Sequence, residues 1–260
     1  MTPDQLTRTL HAALRRAVAA GTLPGPAALP PKVTLRRPPH GDADYASNLA
    51  LRLAPALARP AREVAAVLRA QLAHAPGLAA VEVAGPGFLN LTLDADARPG
   101  IVAALLARPA PQRLPEDPAR DATRWAHLTG APLTYARRAH SPLFRVQYAH
   151  ARTRALRTGA RALGFRAAPG PGTGRAEQAL TALLADADRV AARRDPAARA
   201  RHLVHTADAF LDVLEAHPVL PSGDEKPGAA HRARLALAEA TGTVLAGGLT
   251  QLGISAPEHV

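Results

Sequence analysis

Val81-Glu-Val-Ala-Gly-Pro-Gly-Phe-Leu-Asn-Leu-Thr-Leu93 decides the fold class of the first part of the chain. Val81 and Val83 flank Glu82, and Phe88, Asn90 and Thr92 interleave with Leu89, Leu91 and Leu93. A period of two marks strands with one buried face. Gly85-Pro86-Gly87 supplies a tight turn between them, so the stretch predicts a β-hairpin. Upstream the period lengthens. Thr2 to Ala20 predicts a helix with Leu6, Leu10, Leu14 and Val18 on one face. Pro24, Pro26, Pro30 and Pro31 break the chain, and Lys32 to Arg36 is a candidate strand ended by Pro38 and Pro39. Asp44 is expected to cap a helix running to about Ala58, with Leu49, Leu53 and Leu57 along one side. Pro60 opens a further helix carrying Val64, Val67, Leu68 and Leu72. Residues 1–95 therefore read as a small α+β domain.

Downstream, residues 96–140 read as a weakly patterned joint crowded by Pro99, Pro109, Pro111, Pro115 and Pro118. From Ser141 onward the signals are helical only, over 141–164, 176–193, 197–216 and 229–252. Pro169–Gly174 and Pro218–Gly228 interrupt them. Residues 141–260 are expected to form an all-α bundle. No internal repeat is visible.

Composition removes several functions. The chain has 260 residues, 47% hydrophobic and 20% charged, which suits a packed core and not a disordered chain. It has no cysteine, so disulfide scaffolds, thiolate nucleophiles, zinc fingers and iron–sulfur clusters fall away. No apolar run approaches the roughly 18 residues of a membrane span. The amphipathic N-terminus reads as a helix and not as a signal peptide. The formal net charge is +11, and all but Lys32 and Lys226 of the basic residues are arginine. A high-G+C coding bias would enrich arginine everywhere. The net charge itself points to an anionic partner, most simply nucleic acid.

Gly41-Asp-Ala-Asp-Tyr-Ala-Ser-Asn-Leu-Ala50 together with Val83-Ala-Gly-Pro-Gly-Phe-Leu-Asn-Leu91 resembles the N-terminal tRNA-contacting domain of arginyl-tRNA synthetases. Val146-Gln-Tyr-Ala-His-Ala-Arg152 resembles the start of their DALR-type anticodon-binding domain. Arg234-Leu-Ala-Leu-Ala-Glu-Ala-Thr241 and Leu252-Gly-Ile-Ser-Ala-Pro-Glu258 resemble its end. The family places a Rossmann-type catalytic domain between these parts, with a His-x-Gly-His signature and a Lys-Met-Ser-type loop. Here only 54 residues separate Leu93 from Tyr148. Arg120-Asp-Ala-Thr-Arg-Trp125 resembles the segment after that loop, and nothing resembles the nucleotide-binding core. Activation of arginine by ATP needs cationic groups on the triphosphate. The two lysines lie far apart, and neither His74-Ala-Pro-Gly77 nor His127-Leu-Thr-Gly130 carries the second histidine.

The resemblance implies contacts with tRNA. Phe88 and Asn90 match positions that meet the D loop, where a ring stacks on a splayed base and an amide reads its edge. Read without the resemblance, Phe88 is a core residue and Asn90 a solvated one. On the predicted helix from Ser141, Gln147, His150, Arg154, Arg157 and Arg161 fall within about 80° of one another, a basic stripe suited to the tRNA backbone and anticodon stem, or simply a solvated face. Arg152 points elsewhere and is expected to pair with a buried carboxylate or carbonyl. Arg234, Ser255 and His259 are expected near the anticodon loop. Gly242, Gly247 and Gly248 weaken the last helix unless close packing compensates. Two departures from the family pattern bear on anticodon specificity: His259-Val260 in place of the usual Arg-Met, and Pro218 before Val219-Leu220 in place of an arginine. His202 and His205 share a face with Asp208 and Asp212 that could hold a divalent metal, but no third ligand is in view. Pro169–Gly174, with no strand before it, reads as a linker and not as a phosphate loop.

The expected function is tRNA binding in the cytoplasm, with a preference for arginine-accepting tRNA and with no catalytic residue, metal or cofactor of its own. The rival readings are the tRNA-binding subunit of a split arginine–tRNA ligase and a scaffold for a separate synthetase or another protein.

Overall fold

The structure is a computed structural model that describes residues 1–25, 33–36, 38, 43–94, 97–138, 140–172 and 174–260. Lys32, Pro39, Gly41 and Thr173, which figure in the sequence reading, lie outside the described residues. The chain divides into two compact units, Met1–Arg98 and Pro99–Val260.

The first unit holds α1 (Pro3–Ala19), β1 (Leu35–Arg36), β2 (Tyr45–Ser47), α2 (Leu49–Leu57), α3 (Ala61–Leu72), β3 (Leu78–Ala84) and β4 (Phe88–Leu93). The sheet order is β1-β2-β4-β3, and every pairing is antiparallel. The predicted hairpin is β3–β4, with Ala84 opposite Phe88 across the turn. α1 begins at a capping box, in which Thr2 Oγ1 accepts from the Gln5 N–H and the Gln5 side chain accepts from the Thr2 N–H. Leu6, Leu10 and Leu14 of α1, Leu53 of α2, and Leu68 and Leu72 of α3 are fully buried with Leu89 and Leu91 of β4. Burial of such side chains is worth about 2 kcal/mol each, which makes this cluster the main source of the unit's stability.

Asp44 does not cap a helix. Its backbone N–H donates to the Leu91 carbonyl at 3.0 Å, and its carboxylate accepts from the Leu93 N–H at 2.8 Å and from Arg98 at 2.9 Å. The following residues extend β2 beside β4, and the helix starts at Leu49. Asn48, in the capping position, spends its side-chain oxygen on the Thr34 N–H instead, tying β2 to the segment before β1. Cross-strand pairing has overridden the local capping preference.

The second unit holds α5 (Pro118–Thr129), α6 (Pro142–Ala162), α7 (Arg175–Ala192), α8 (Pro196–Ala216) and α9 (Ala229–Gln251), preceded by α4 (Ala97–Leu106) at the junction. The four helices expected from Ser141 onward are present as α6 to α9. α4 and α5 were hidden by the prolines around them. Pro118 stands at the first turn of α5, where its missing N–H is harmless, and Asp117 caps the helix through the Arg120 N–H. α9 is the central helix, with Leu235, Ala236, Ala238, Ala240, Leu245 and Leu249 all essentially buried. A β-carbon at Gly242 would sit 2.5 Å from Thr153 Oγ1 on α6, and one at Gly248 would sit 2.5 Å from Leu203 on α8. These two glycines let α9 approach its neighbours. Gly247 faces open space, with nothing within 4 Å of such an atom.

Opposite substitution effects follow within one helix. Gly247→Ala should stabilise by roughly 0.5–1 kcal/mol through helix propensity alone. Gly242→Ala should destabilise by roughly 1 kcal/mol, because overpacking outweighs that gain. Denaturant unfolding of the two variants checks both signs.

Candidate nucleic-acid interface

β4 lies inside the sheet, so its two faces have different fates. Leu89, Leu91 and Leu93 enter the core, while Phe88, Asn90 and Thr92 lie half-buried on the other face. The register fixes their neighbours. Asn90 stands opposite Ala46 on β2 and Glu82 on β3, and Ala46 stands opposite Arg36 on β1. Arg36, Ala46, Asn90 and Glu82 thus form one row across the sheet. The Arg36 guanidinium lies over the Phe88 ring, 5.6 Å from its centroid. The turn that delivers Phe88 is pinned to α3. Arg62 donates to the Gly85 carbonyl at 2.7 Å. Gly87 has φ +134°, and a β-carbon there would lie 2.9 Å from the backbone of Ala61. Phe88 is therefore not a core residue. An accessible ring beside an amide and a guanidinium offers stacking and edge-reading groups on one face. Arg36 was missed from sequence, where only the strand around it was legible.

In the second unit the predicted stripe on α6 is present but partly covered. At Gly253 (φ +70°) the chain leaves α9 and turns back over the first turns of α6. Gln147 donates to the Ser255 carbonyl at 3.1 Å, and His150 Nδ1–H donates to the Pro257 carbonyl at 2.8 Å. Arg154 pairs with Glu258, which also accepts from Arg113 at 2.5 Å. Arg124 of α5 donates to the Leu252 carbonyl, and the Asp121 carboxylate accepts from both the N–H and the hydroxyl of Ser255. Gln147 and His150 are thus held by the returning segment, and Ser255 is buried. Arg157 remains half-buried with its Nε unbonded, Arg161 is exposed at the end of α6, and His259 is exposed. Arg234 is turned inward, donating to Glu177 at 2.8 Å and to the Pro218 carbonyl at 3.1 Å. Arg152 is exposed at the surface, so the expected buried partner is corrected. The returning segment was not foreseen as a cover, because helical periodicity says nothing about what packs on a face.

The electrostatics follow from this packing. Burial lowers the proton affinity of His150, with Arg154 and Arg113 acting in the same direction and the Pro257 carbonyl and Glu258 opposing. Partial burial tends to raise Glu258, but Arg154, Arg113 and Arg157 hold it below the ordinary glutamate value. Arg157 is lowered by burial and by Arg154 and Arg161 beside it, the mark of a crowded positive patch. Among the described residues no group of three His, Asp or Glu side chains is placed to hold a metal ion, and Asp208 pairs with Arg145 at 2.7 Å. Among the described residues no helix is long and apolar enough to cross a membrane.

Comparison with known proteins assigns a domain family to each part of the chain. The arginyl tRNA synthetase N terminal domain model matches residues 4–93, and the DALR anticodon binding domain model matches residues 146–260. The chain thus carries an arginyl-tRNA-synthetase N-terminal domain and a DALR anticodon-binding domain. Similar proteins include the arginine–tRNA ligases of Renibacterium salmoninarum (48% identical over 99 residues), Kineococcus radiotolerans (48% over 99) and Frankia alni (51% over 98). Each match takes in 37% of this chain, in its N-terminal region, and 17–18% of the relative's length. The two matched stretches are separated by residues 94–145, 52 residues in all.

Stability of the second unit should fall on acidification. His150 and His202 both have lowered proton affinity in the folded state, chiefly through burial. The unfolded chain takes up protons near the ordinary histidine value of about 6.5, and the folded chain does so only at lower pH. The stabilisation is therefore complete above that value and is lost as pH falls below it. Thermal unfolding between pH 7.5 and 5.5 should show the decline, and His150→Gln should make it shallower. Separately, Asp121→Ala should destabilise by about 2–3 kcal/mol, since it strands the buried N–H and hydroxyl of Ser255.

Proposed function

We propose that this chain binds tRNA, preferring arginine-accepting tRNA, and does not itself form aminoacyl-tRNA. The observation that carries the reading is the outward pair Phe88 and Asn90, with Arg36 over the Phe88 ring, on a sheet whose opposite face supplies the core. A splayed D-loop base displaces the Arg36 guanidinium from the Phe88 ring and stacks there, Asn90 reads its edge, and the freed Arg36 meets the backbone. Arg157 and Arg161 meet phosphates of the anticodon stem, with Arg154 joining when Glu258 gives way. His259 lies near the anticodon loop. In this reading Gln147, His150, Ser255 and Arg234 act by positioning, because their polar groups are already engaged within the unit. The net charge of +11 speeds encounter with any RNA and supplies affinity without sequence preference. The cytoplasm, where tRNA is charged, is the proposed site of action.

Only residues 94–145 separate the two matched domains, and none of them resembles the nucleotide-binding core that the family carries between these parts, which supports a role in binding rather than ligation. Filter binding against purified tRNAs at two salt concentrations tests the reading. Arginine-accepting tRNAs should bind about tenfold more tightly than the rest at physiological salt. Phe88→Ala should remove about 1–3 kcal/mol of affinity and most of that preference. Arg161→Ala should weaken all tRNAs alike and flatten the salt dependence by about one phosphate contact. Equal binding of every tRNA, unaltered by Phe88→Ala, would overturn the proposal.

A further inference from the structure

Glu82 shares the outward face of the sheet with Phe88 and Asn90. It stands on β3 directly opposite Asn90 and is exposed. Among the described residues it has no hydrogen bond or ion pair. In an antiparallel pair, opposed β-carbons lie about 4.5–5.5 Å apart, while alternate residues of one strand are roughly 7 Å apart. Asn90 therefore has Phe88 one step along its own strand and Glu82 one step across. Arg36 stands at the other end of the same row, with its guanidinium over the Phe88 ring.

A carboxylate with no partner is out of place on a surface that meets RNA, because it repels phosphates. It is also chemically narrower than the amide beside it. Asn90 carries a donor and an acceptor, and by turning its amide it can face an amino or a keto group. A carboxylate only accepts. Opposite a keto oxygen Glu82 would be repelled and unpaired. Opposite an exocyclic amino group it gains a charge-assisted hydrogen bond. Such an amino group has two hydrogens, so Asn90 and Glu82 can each accept one. We propose that Glu82 sets the base preference of this face: it accepts from the exocyclic amino group of a base stacked on Phe88 and rejects bases that present a keto oxygen there. The inference rests on the RNA-binding reading above and adds the chemical class of base that the face selects.

The probes are oligouridylates whose central residue is uridine, cytidine, adenosine or inosine, titrated by fluorescence anisotropy against the full chain at physiological salt. Inosine keeps the stacking surface of adenosine and replaces its amino group by a keto oxygen. Adenosine should bind about tenfold more tightly than inosine, and cytidine more tightly than uridine, the discrimination expected of a base-edge contact. Glu82→Gln keeps the shape and regains a donor, so it should bind inosine as well as adenosine. Phe88→Ala should weaken every probe. If the amino and keto probes bind alike, or if Glu82→Gln leaves the preference in place, Glu82 is only a charge that protects an edge strand. The inference then falls, and the RNA-binding reading stands as long as Phe88→Ala still weakens binding. If Phe88→Ala changes nothing, no base stacks there and both fall.

Discussion

The buried carboxylate of Asp121 organises the helical unit. It accepts from two groups of Ser255, one on the backbone and one on the side chain, while Arg120 neutralises it from the same helix. The contact joins residues 134 positions apart in sequence and fastens the segment after α9 to α5. Everything that segment touches then acquires a fixed place: Gln147 and His150 through backbone carbonyls, Arg154 and Arg113 through Glu258. A buried charge of this kind is weak evidence of net stability, because desolvation offsets much of the attraction. Its value is geometric. A partner lost on either side would leave a bare polar group in the interior, so alternative placements of the segment are disfavoured.

The basic surface of α6 is in consequence a graded one. Glu258 already supplies an acidic oxygen to Arg154 and Arg113, the chemistry a phosphate would offer. Arg161 at the far end of the helix has no such occupant and is open to solvent. An approaching polyanion would find the exposed end first and the neutralised part only by competing with a carboxylate. The near-exclusive use of arginine reinforces this, since a planar guanidinium can hold a carboxylate or a phosphate by the same fork.

Much of the fold could be read from the residues, and the failures have physical causes. The β3–β4 hairpin and α6 to α9 were legible because each carries a sustained period and recognisable stops. Asp44 misled because an aspartate ahead of an apolar period looks like a cap, while the sheet had a stronger claim on its carboxylate through Leu93 and Arg98. α5 was obscured because Pro118 marks a helix start as readily as a break. At the interface, the outward position of Phe88 and Asn90 was implicit in the alternation of β4. The inward roles of Arg234 and Ser255 were not, because Glu177 and Asp121 lie 57 and 134 residues away and no local pattern announces such partners.

The alternation along β4 has a further consequence. Leu89, Leu91 and Leu93 hold the unit together, while Phe88, Asn90 and Thr92 contribute little to the core they border. Under the proposed function, folding and recognition are written on the same six residues in separate, interleaved alphabets. Selection can rewrite one without disturbing the other. A lineage could drift to a new nucleic-acid target, or abandon the old one, and still inherit an intact domain. On that proposal, persistence of the scaffold and persistence of a binding preference are separate evolutionary matters, because in this strand they rest on different residues.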